Sequence, residues 1–307
     1  MRTLAFVNPK GGVGTTSLVH HLAWMFHELG MRTVAIDLDP QAHLTEMFLS
    51  AQELQDLWLG EPDTRTVLGA LDSRLTENGA MNEPILWTGD DQPALLPGHL
   101  GLSRFELDSA AGDVVATAIE EIAAKVARKH GAELVLVDPG PGLGAWHRAA
   151  VRAADHVVLP LSADLYSLQG LKLLGPLHAE WRKSRSHRMQ PLGYIRLERA
   201  LQGLRPVKAL PRWAERISAI YHHEVLGRPE GAEAPDPDPH HLGTFRYFPS
   251  LAYLAQEARK PMFLLRPADG AVGGLVEAVL DCYRDFKSLA LRIAAACEVT
   301  VPSSSIP

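Results

Sequence analysis

Short apolar runs alternate along the chain with longer stretches in which apolar residues return every three or four positions. Leu4-Ala5-Phe6-Val7, Thr33-Val34-Ala35-Ile36, Leu134-Val135-Leu136-Val137 and His156-Val157-Val158-Leu159-Pro160-Leu161 are of the first kind and predict buried strands. Leu18, Leu22, Phe26 and Leu29 recur at helical spacing until Gly30 ends the pattern, which predicts a helix opening at Thr16. Further strands are expected at 95–96, 192–195 and 244–248, and further helices at 66–71, 114–129, 168–177, from Pro211 onward, at 250–259 and at 272–296. Residues 50–112 otherwise give a weak signal, and the Pro-, Asp- and Glu-rich stretch 228–241 predicts a loop. Strands alternating with helices predict an α/β fold: a doubly wound, mainly parallel sheet with helices on both faces. One domain is expected over 1–297, with 298–307 a Pro/Ser-rich flexible tail.

The first strand runs into the first helix through Asn8-Pro9-Lys10-Gly11-Gly12-Val13-Gly14-Thr15-Thr16-Ser17. Glycines let the main chain approach an anion closely, and a new helix points free N–H groups and its positive dipole end at that anion. Phosphate is the natural ligand. The hydroxyl of Thr16, in the first helical turn, is placed to ligate Mg²⁺. The residue before it in such loops is normally a lysine that reaches the β- and γ-phosphates; here it is Thr15, and a lysine, Lys10, stands at the start of the loop instead. Carboxylates end two of the predicted strands: Asp37 and Asp39 in Asp37-Leu38-Asp39-Pro40-Gln41-Ala42-His43-Leu44, and Asp138 before Pro139-Gly140-Pro141-Gly142. Strand-end acids face the crevice where open α/β sheets bind ligands, and Asp138 is suited to hold Mg²⁺. A plainer reading, in which Asp37 and Asp39 cap the next helix, stands beside this one.

Together these segments resemble the ParA/MinD family of P-loop ATPases, whose deviant Walker A loop reads Lys-Gly-Gly-x-Gly-Lys-Thr. The strings 37–44 and 138–144 are similar to that family's Asp-x-Asp-Pro-Gln-x-Asn-Leu and Asp-x-Pro-Pro-Ser-Leu-Gly. The resemblance implies ATP or ADP with Mg²⁺ as cofactors. It implies that Lys10 is the signature lysine reaching the nucleotide of a partner subunit, and that Asp39 orients or deprotonates the attacking water. Nucleotide contacts would come from Lys10, Gly11, Gly12, Val13, Gly14, Thr15, Thr16 and Ser17, with adenine contacts at Phe248 and Pro249. Thr16, Asp37 and Asp138 would serve the metal. The chain departs from the pattern at Thr15, at His43 in place of asparagine, at Gly140 and Gly142, and at Asp164 in place of a glutamate. The function implied is a ParA-like ATPase that forms a homodimer around Mg-ATP, engages a ParB-like or other partner protein and non-specific DNA, and is reset by slow hydrolysis. Thr15 sustains the alternative of a nucleotide-binding scaffold or sensor with little hydrolysis.

Composition narrows this picture at its margins. At 307 residues and 46% hydrophobic the chain can build one large core, and no run of 18 apolar residues is present, so a cytoplasmic protein without a membrane span is expected. Two cysteines in so long a chain fit a reducing compartment. Adjacent histidine pairs at 20–21, 222–223 and 240–241 point in different directions on a helix and lack partners at ligand spacing, so metal chelation by them is not expected. A net charge of −6 argues against a general polyanion binder, although the basic groups at 181–188 and at Arg205, Lys208, Arg212 and Arg216 around Trp213 suit either DNA phosphates or solvated helix faces. Leu168, Leu171, Leu174 and Leu177 share one face, read first as core and second as a partner surface. Leu275, Val279, Tyr283, Phe286 and Leu289 suit packing of the last helix on the sheet rather than a membrane anchor.

Overall fold

The computed structural model describes residues 1–59, 63–76, 79–89, 91–105, 112–183, 189–199, 210–232, 235 and 237–302. In chain order the elements are β1 (Arg2–Phe6), α1 (Thr15–Glu28), β2 (Thr33–Asp37), α2 (His43–Phe48), α3 (Ala51–Trp58), α4 (Val67–Thr76), β3 (Ala94–Leu96) and α5 (Gly112–His130). They continue with β4 (Leu134–Asp138), α6 (Ala145–Ala153), β5 (His156–Ser162), α7 (Leu165–Lys183), β6 (Gln190–Arg199), α8 (Leu210–Ile220), β7 (His241–Tyr247), α9 (Pro249–Ala258) and α10 (Gly274–Ala296). The sheet has seven strands in the order β3-β2-β4-β1-β5-β6-β7, and every pairing between them is parallel.

Parallel strands covered on both faces must be apolar on both sides, and β1, β2, β4 and β5 are buried along nearly their whole lengths. Alternate residues therefore feed two cores. Ala5, Val34, Ile36, Val135 and Val137 pack with α4 to α8; Leu4, Phe6, Ala35, Leu134 and Leu136 pack with α1, α2, α9 and α10. From β1 the chain passes to β2 and β3 on one side, returns through β4, and crosses β1 to reach β5, β6 and β7 on the other. The winding reverses between β4 and β1, and a doubly wound sheet binds ligands at the C-terminal strand ends of such a switch point.

The expected strands and the longer helices are all present. Leu168, Leu171 and Leu174 on α7 are core, whereas Leu165, Tyr166 and Leu173 of the same helix are exposed; the side chain of Leu177 lies outside the described residues. On α10, Val279, Phe286 and Leu289 are buried and Leu275 and Tyr283 pack partly buried against them. Residues 298–302 depart from a free tail: Val299 and Val301 pack against the same cluster. Helices α2, α3 and α6 were not expected from periodicity. The signal for α3 was a capping box: the Ser50 hydroxyl accepts the Glu53 N–H while the Glu53 carboxylate accepts the Ser50 N–H. The 228–241 stretch is pinned near its end, where the Asp238 carboxylate accepts hydrogen bonds from the hydroxyls of Tyr194 (2.9 Å) and Ser218 (2.5 Å) and contacts His222 Nε2 at 3.0 Å. Among the described residues no helix is long and apolar enough to cross a membrane.

Pairing of β6 with its neighbours shifts register on both sides near Gly193. A Cβ there would lie 2.3 Å from the carbonyl oxygen of His240, which accepts the Tyr194 N–H. Gly193→Ala is expected to force these backbones apart and to lower unfolding stability by about 1–3 kcal/mol, read from urea midpoints against the native chain.

Candidate active site

The loop between β1 and α1 bends through two left-handed glycines, Gly12 and Gly14, both at φ 76°. A Cβ on Gly14 would come within 3.3 Å of the Phe245 ring, so this residue meets a spatial as well as a backbone limit, whereas Gly12 faces open space. The Asn8 side chain holds the loop's root by accepting the Lys10 N–H (2.8 Å) and donating to the Pro160 carbonyl. Val13 is buried, and Gly14 is the N-cap of α1 with no side-chain cap, leaving the first-turn N–H groups directed at the loop's concave side.

A cavity of about 570 Å³ lies over this loop. It is lined by Lys10, Gly11, Gly12, Gly14, Thr15, Thr16 and Ser17 of the loop and first helical turn, by Gln41, His43, Glu46 and Met47 after β2, by Pro141 after β4, and by His21, Tyr247, Ala252, Ala255, Gln256 and Met262. The three aspartates lie one layer behind this wall, all fully buried. Asp37 is held by the turn it closes: its Oδ2 accepts the Thr45 N–H (2.8 Å) and hydroxyl (2.6 Å), and its Oδ1 accepts the Asp39 N–H (3.1 Å). Asp39 accepts the Gln41 N–H (2.9 Å) and faces His43 Nδ1 at 3.1 Å. Its carboxyl rests on Gly140, where a Cβ would stand 2.6 Å from Asp39 Cγ at a φ of 69°.

Asp138 accepts the Gly140 N–H through Oδ1 (3.1 Å), while Oδ2 is buried with no hydrogen-bond partner. Burial raises its carboxyl to about 6, against the opposing pull of the neighbouring Thr16 hydroxyl and the Gly140 N–H. Burial, then the negative charge of Asp138 across the strand pair, also raises Asp37 well above the usual carboxylate range. An orphaned carboxylate oxygen beside a first-turn hydroxyl fits a hard divalent cation. Among the described residues no group of three or more His, Cys, Asp or Glu side chains could hold a metal alone. A Mg²⁺ carried in with substrate phosphates needs only one or two protein oxygens.

Lys10 Nζ is paired with Asp164 Oδ2 at 2.7 Å and lies 5.4 Å from the centre of the Tyr166 ring. Burial works to raise Asp164, but the hydrogen bonds from Lys10 and the Ser167 N–H outweigh it and hold this carboxyl below its usual range. Phe248 and Pro249 are not among the cavity-lining residues. Phe248 is buried in the core under the Arg246 guanidinium and Pro249 begins α9, exposed; Tyr247 takes the cavity position. His21 was not singled out by the sequence, yet it bridges the site, with Nδ1 2.6 Å from the Ser17 carbonyl and Nε2 accepting the Met262 N–H (3.0 Å).

Residues 1–189 match the family model described as AAA domain. The chain is 33% identical over 201 residues to protein IncC of Escherichia coli, a match spanning 64% of this chain and 50% of IncC. It is 30% identical over 200 residues to the chromosome-partitioning ATPase Soj of Thermus thermophilus, spanning 64% of this chain and 68% of Soj. The chain belongs to the ParA-like P-loop ATPases. Its fold is that of Cyanothece McdA, solved as a single-residue variant in complex with ATP, with a TM-score of 0.66 at 18% identity over 98% of this chain and 97% of that one.

The ParA-like site of this chain carries its own pH signature when metal-free. The unfolded chain ionises Asp138 near 3.8, whereas the folded chain keeps the proton until about 6, so the stability this proton contributes is complete below the lower value and lost as pH rises through the higher. Asp138→Asn, in EDTA, is expected to be more stable than the native chain at pH 7.5, by about 2–3 kcal/mol from a shift of this size, to keep about half of that advantage near pH 5, and to lose the rest as pH falls below the lower value. Comparing the two chains cancels the buried histidines, whose lowered values act in the opposite sense.

Proposed function

We propose that the chain binds Mg-ATP in the cavity over the 8–17 loop, pairs with a second copy when loaded, engages a partner protein or non-specific DNA in that state, and is reset by slow hydrolysis in the cytoplasm. The observation that carries this reading is the left-handed glycine loop opening α1 beside the orphaned Asp138 oxygen. Residues 1–297 act in it as one unit. The loop N–H groups and Thr16 would hold the phosphates; Thr16 and Asp138 would hold Mg²⁺, which supplies positive charge to the phosphate oxygens when bound. Asp39, facing His43 and seated on Gly140, would orient and accept a proton from the attacking water. Asp37, with three hydrogen bonds on its oxygens, would act from behind by fixing the turn that carries Asp39.

Lys10 would leave Asp164 to reach the partner's nucleotide, and the exposed Leu165, Tyr166 and Leu173 on the same side of α7 are suited to the facing copy. Arg212 and Arg216 are exposed, with Arg216 stacked 5.2 Å from the Trp213 ring, and would contribute phosphate contacts. Arg205 and Lys208 lie outside the described residues, as do the side chains of the 181–188 group. Equilibrium sedimentation should give a dimer with Mg-ATP and a monomer without nucleotide; a monomer under both conditions sinks the paired model.

A second reading, a nucleotide-binding scaffold with little turnover, is favoured by Thr15 on the cavity wall together with the engagement of Lys10 by Asp164. A hydrogen bond to a charged group is worth about 1.5–3 kcal/mol, or ten- to a hundredfold in rate. Thr15→Lys is therefore expected to raise phosphate release at saturating Mg-ATP by about that factor. Native turnover that equals or exceeds the variant's would remove the scaffold reading.

A further inference from the structure

The cavity wall holds three basic side chains among its described residues, and they differ in what they can offer a ligand. His21 is spent: one ring nitrogen meets the Ser17 carbonyl and the other takes the Met262 N–H, and burial keeps the ring neutral by pushing it down to about 4. Lys10 is engaged by Asp164 and Tyr166. His43 is different. Its Nδ1 faces Asp39 Oδ2 at 3.1 Å, its side chain is 51% exposed, and it stands on the cavity wall together with Thr15 and Thr16.

Asp39 takes up the Nδ1 side of the ring, and Nε2 is the nitrogen left for a ligand. A carboxylate behind an imidazole fixes the ring's orientation, and an imidazole that carries both protons donates from each nitrogen, one to the carboxylate and the other to a negative ligand. Asp39 is fixed in turn by the Gln41 N–H and by its seat on Gly140. The bracing therefore does not depend on the mobility of His43 itself. The residue also occupies one of this chain's departures, asparagine to histidine, and lines the same cavity as another of them, lysine to Thr15.

We propose that His43 is a phosphate-binding residue of this site, donating from Nε2 to the bound nucleotide and returning part of the charge that Thr15 does not provide. The inference rests on the nucleotide reading above. It makes the two departures a coupled pair: the histidine matters because the lysine is gone.

A double-mutant cycle on the full chain tests this, with Mg-ATP affinity measured by titration calorimetry on the native chain, His43→Asn, Thr15→Lys and the double variant, and thermal unfolding checked for each. His43→Asn is expected to weaken Mg-ATP binding about tenfold in the native background, the size of a charge-assisted hydrogen bond, and by less than about twofold once Thr15→Lys is present. Unchanged affinity in His43→Asn, or equal weakening in both backgrounds, would overturn the proposal, since a merely structural histidine has no reason to be rescued by a lysine at position 15. Absence of Mg-ATP binding by the native and Thr15→Lys chains alike would overturn the nucleotide reading itself, and this inference with it.

Discussion

Two carboxylates, Asp37 and Asp138, end adjacent strands in register and without solvent, and a third, Asp39, follows two residues later. Like charges at this distance in a low-dielectric interior repel strongly, and burial alone opposes ionisation. The fold creates this situation by inserting β4 between β1 and β2. Everything around the strand ends answers it: the Thr45 hydroxyl and N–H on Asp37, the Gly140 N–H and Thr16 hydroxyl beside Asp138, and the imidazole of His43 on Asp39. What these groups leave uncompensated is the inner oxygen of Asp138. The strand ends thus carry an electrostatic deficit of the kind a small cation would relieve.

Thr15 enlarges that deficit. In the resembled loop a lysine on α1 would add positive charge a residue away from Thr16; here the helix begins with two threonines. The remaining lysine is committed to Asp164, through a part-exposed pair whose own worth in water is small. A weak internal tie suits the change of partner proposed for Lys10. It also means that the free chain presents phosphates with backbone N–H groups and hydroxyls more than with charge.

The apolar runs named four of the five inner strands, and the glycine spacing named the loop, because a buried parallel strand and a left-handed turn each leave a local mark in the sequence. Other features leave none. That Tyr247 lines the cavity while Phe248, the residue after β7, is buried follows from where the strand ends and the next helix begins, which adjacent residues do not encode. The short helices α2 and α3 carry too few turns for a periodic signal; the box formed by Ser50 and Glu53 was the legible trace. The anchoring of Asp238 by Tyr194, Ser218 and His222 gathers side chains from β6, α8 and the turn after it, so only the folded chain reveals it. His21 was hidden for the same reason, since its second partner, Met262, lies far along the chain.

The position of β1 has a consequence for how the molecule comes into being. Arg2 pairs with Leu134, and Leu4 with His156, so β1, made before the strands beside it, has no neighbour until both of these segments have been made. Contacts of such long separation are slow to form, and an apolar strand awaiting them is exposed in the meantime. The phosphate loop is thus the earliest part of the site to be synthesised and among the last to acquire its shape, which ties ligand competence to completion of the sheet.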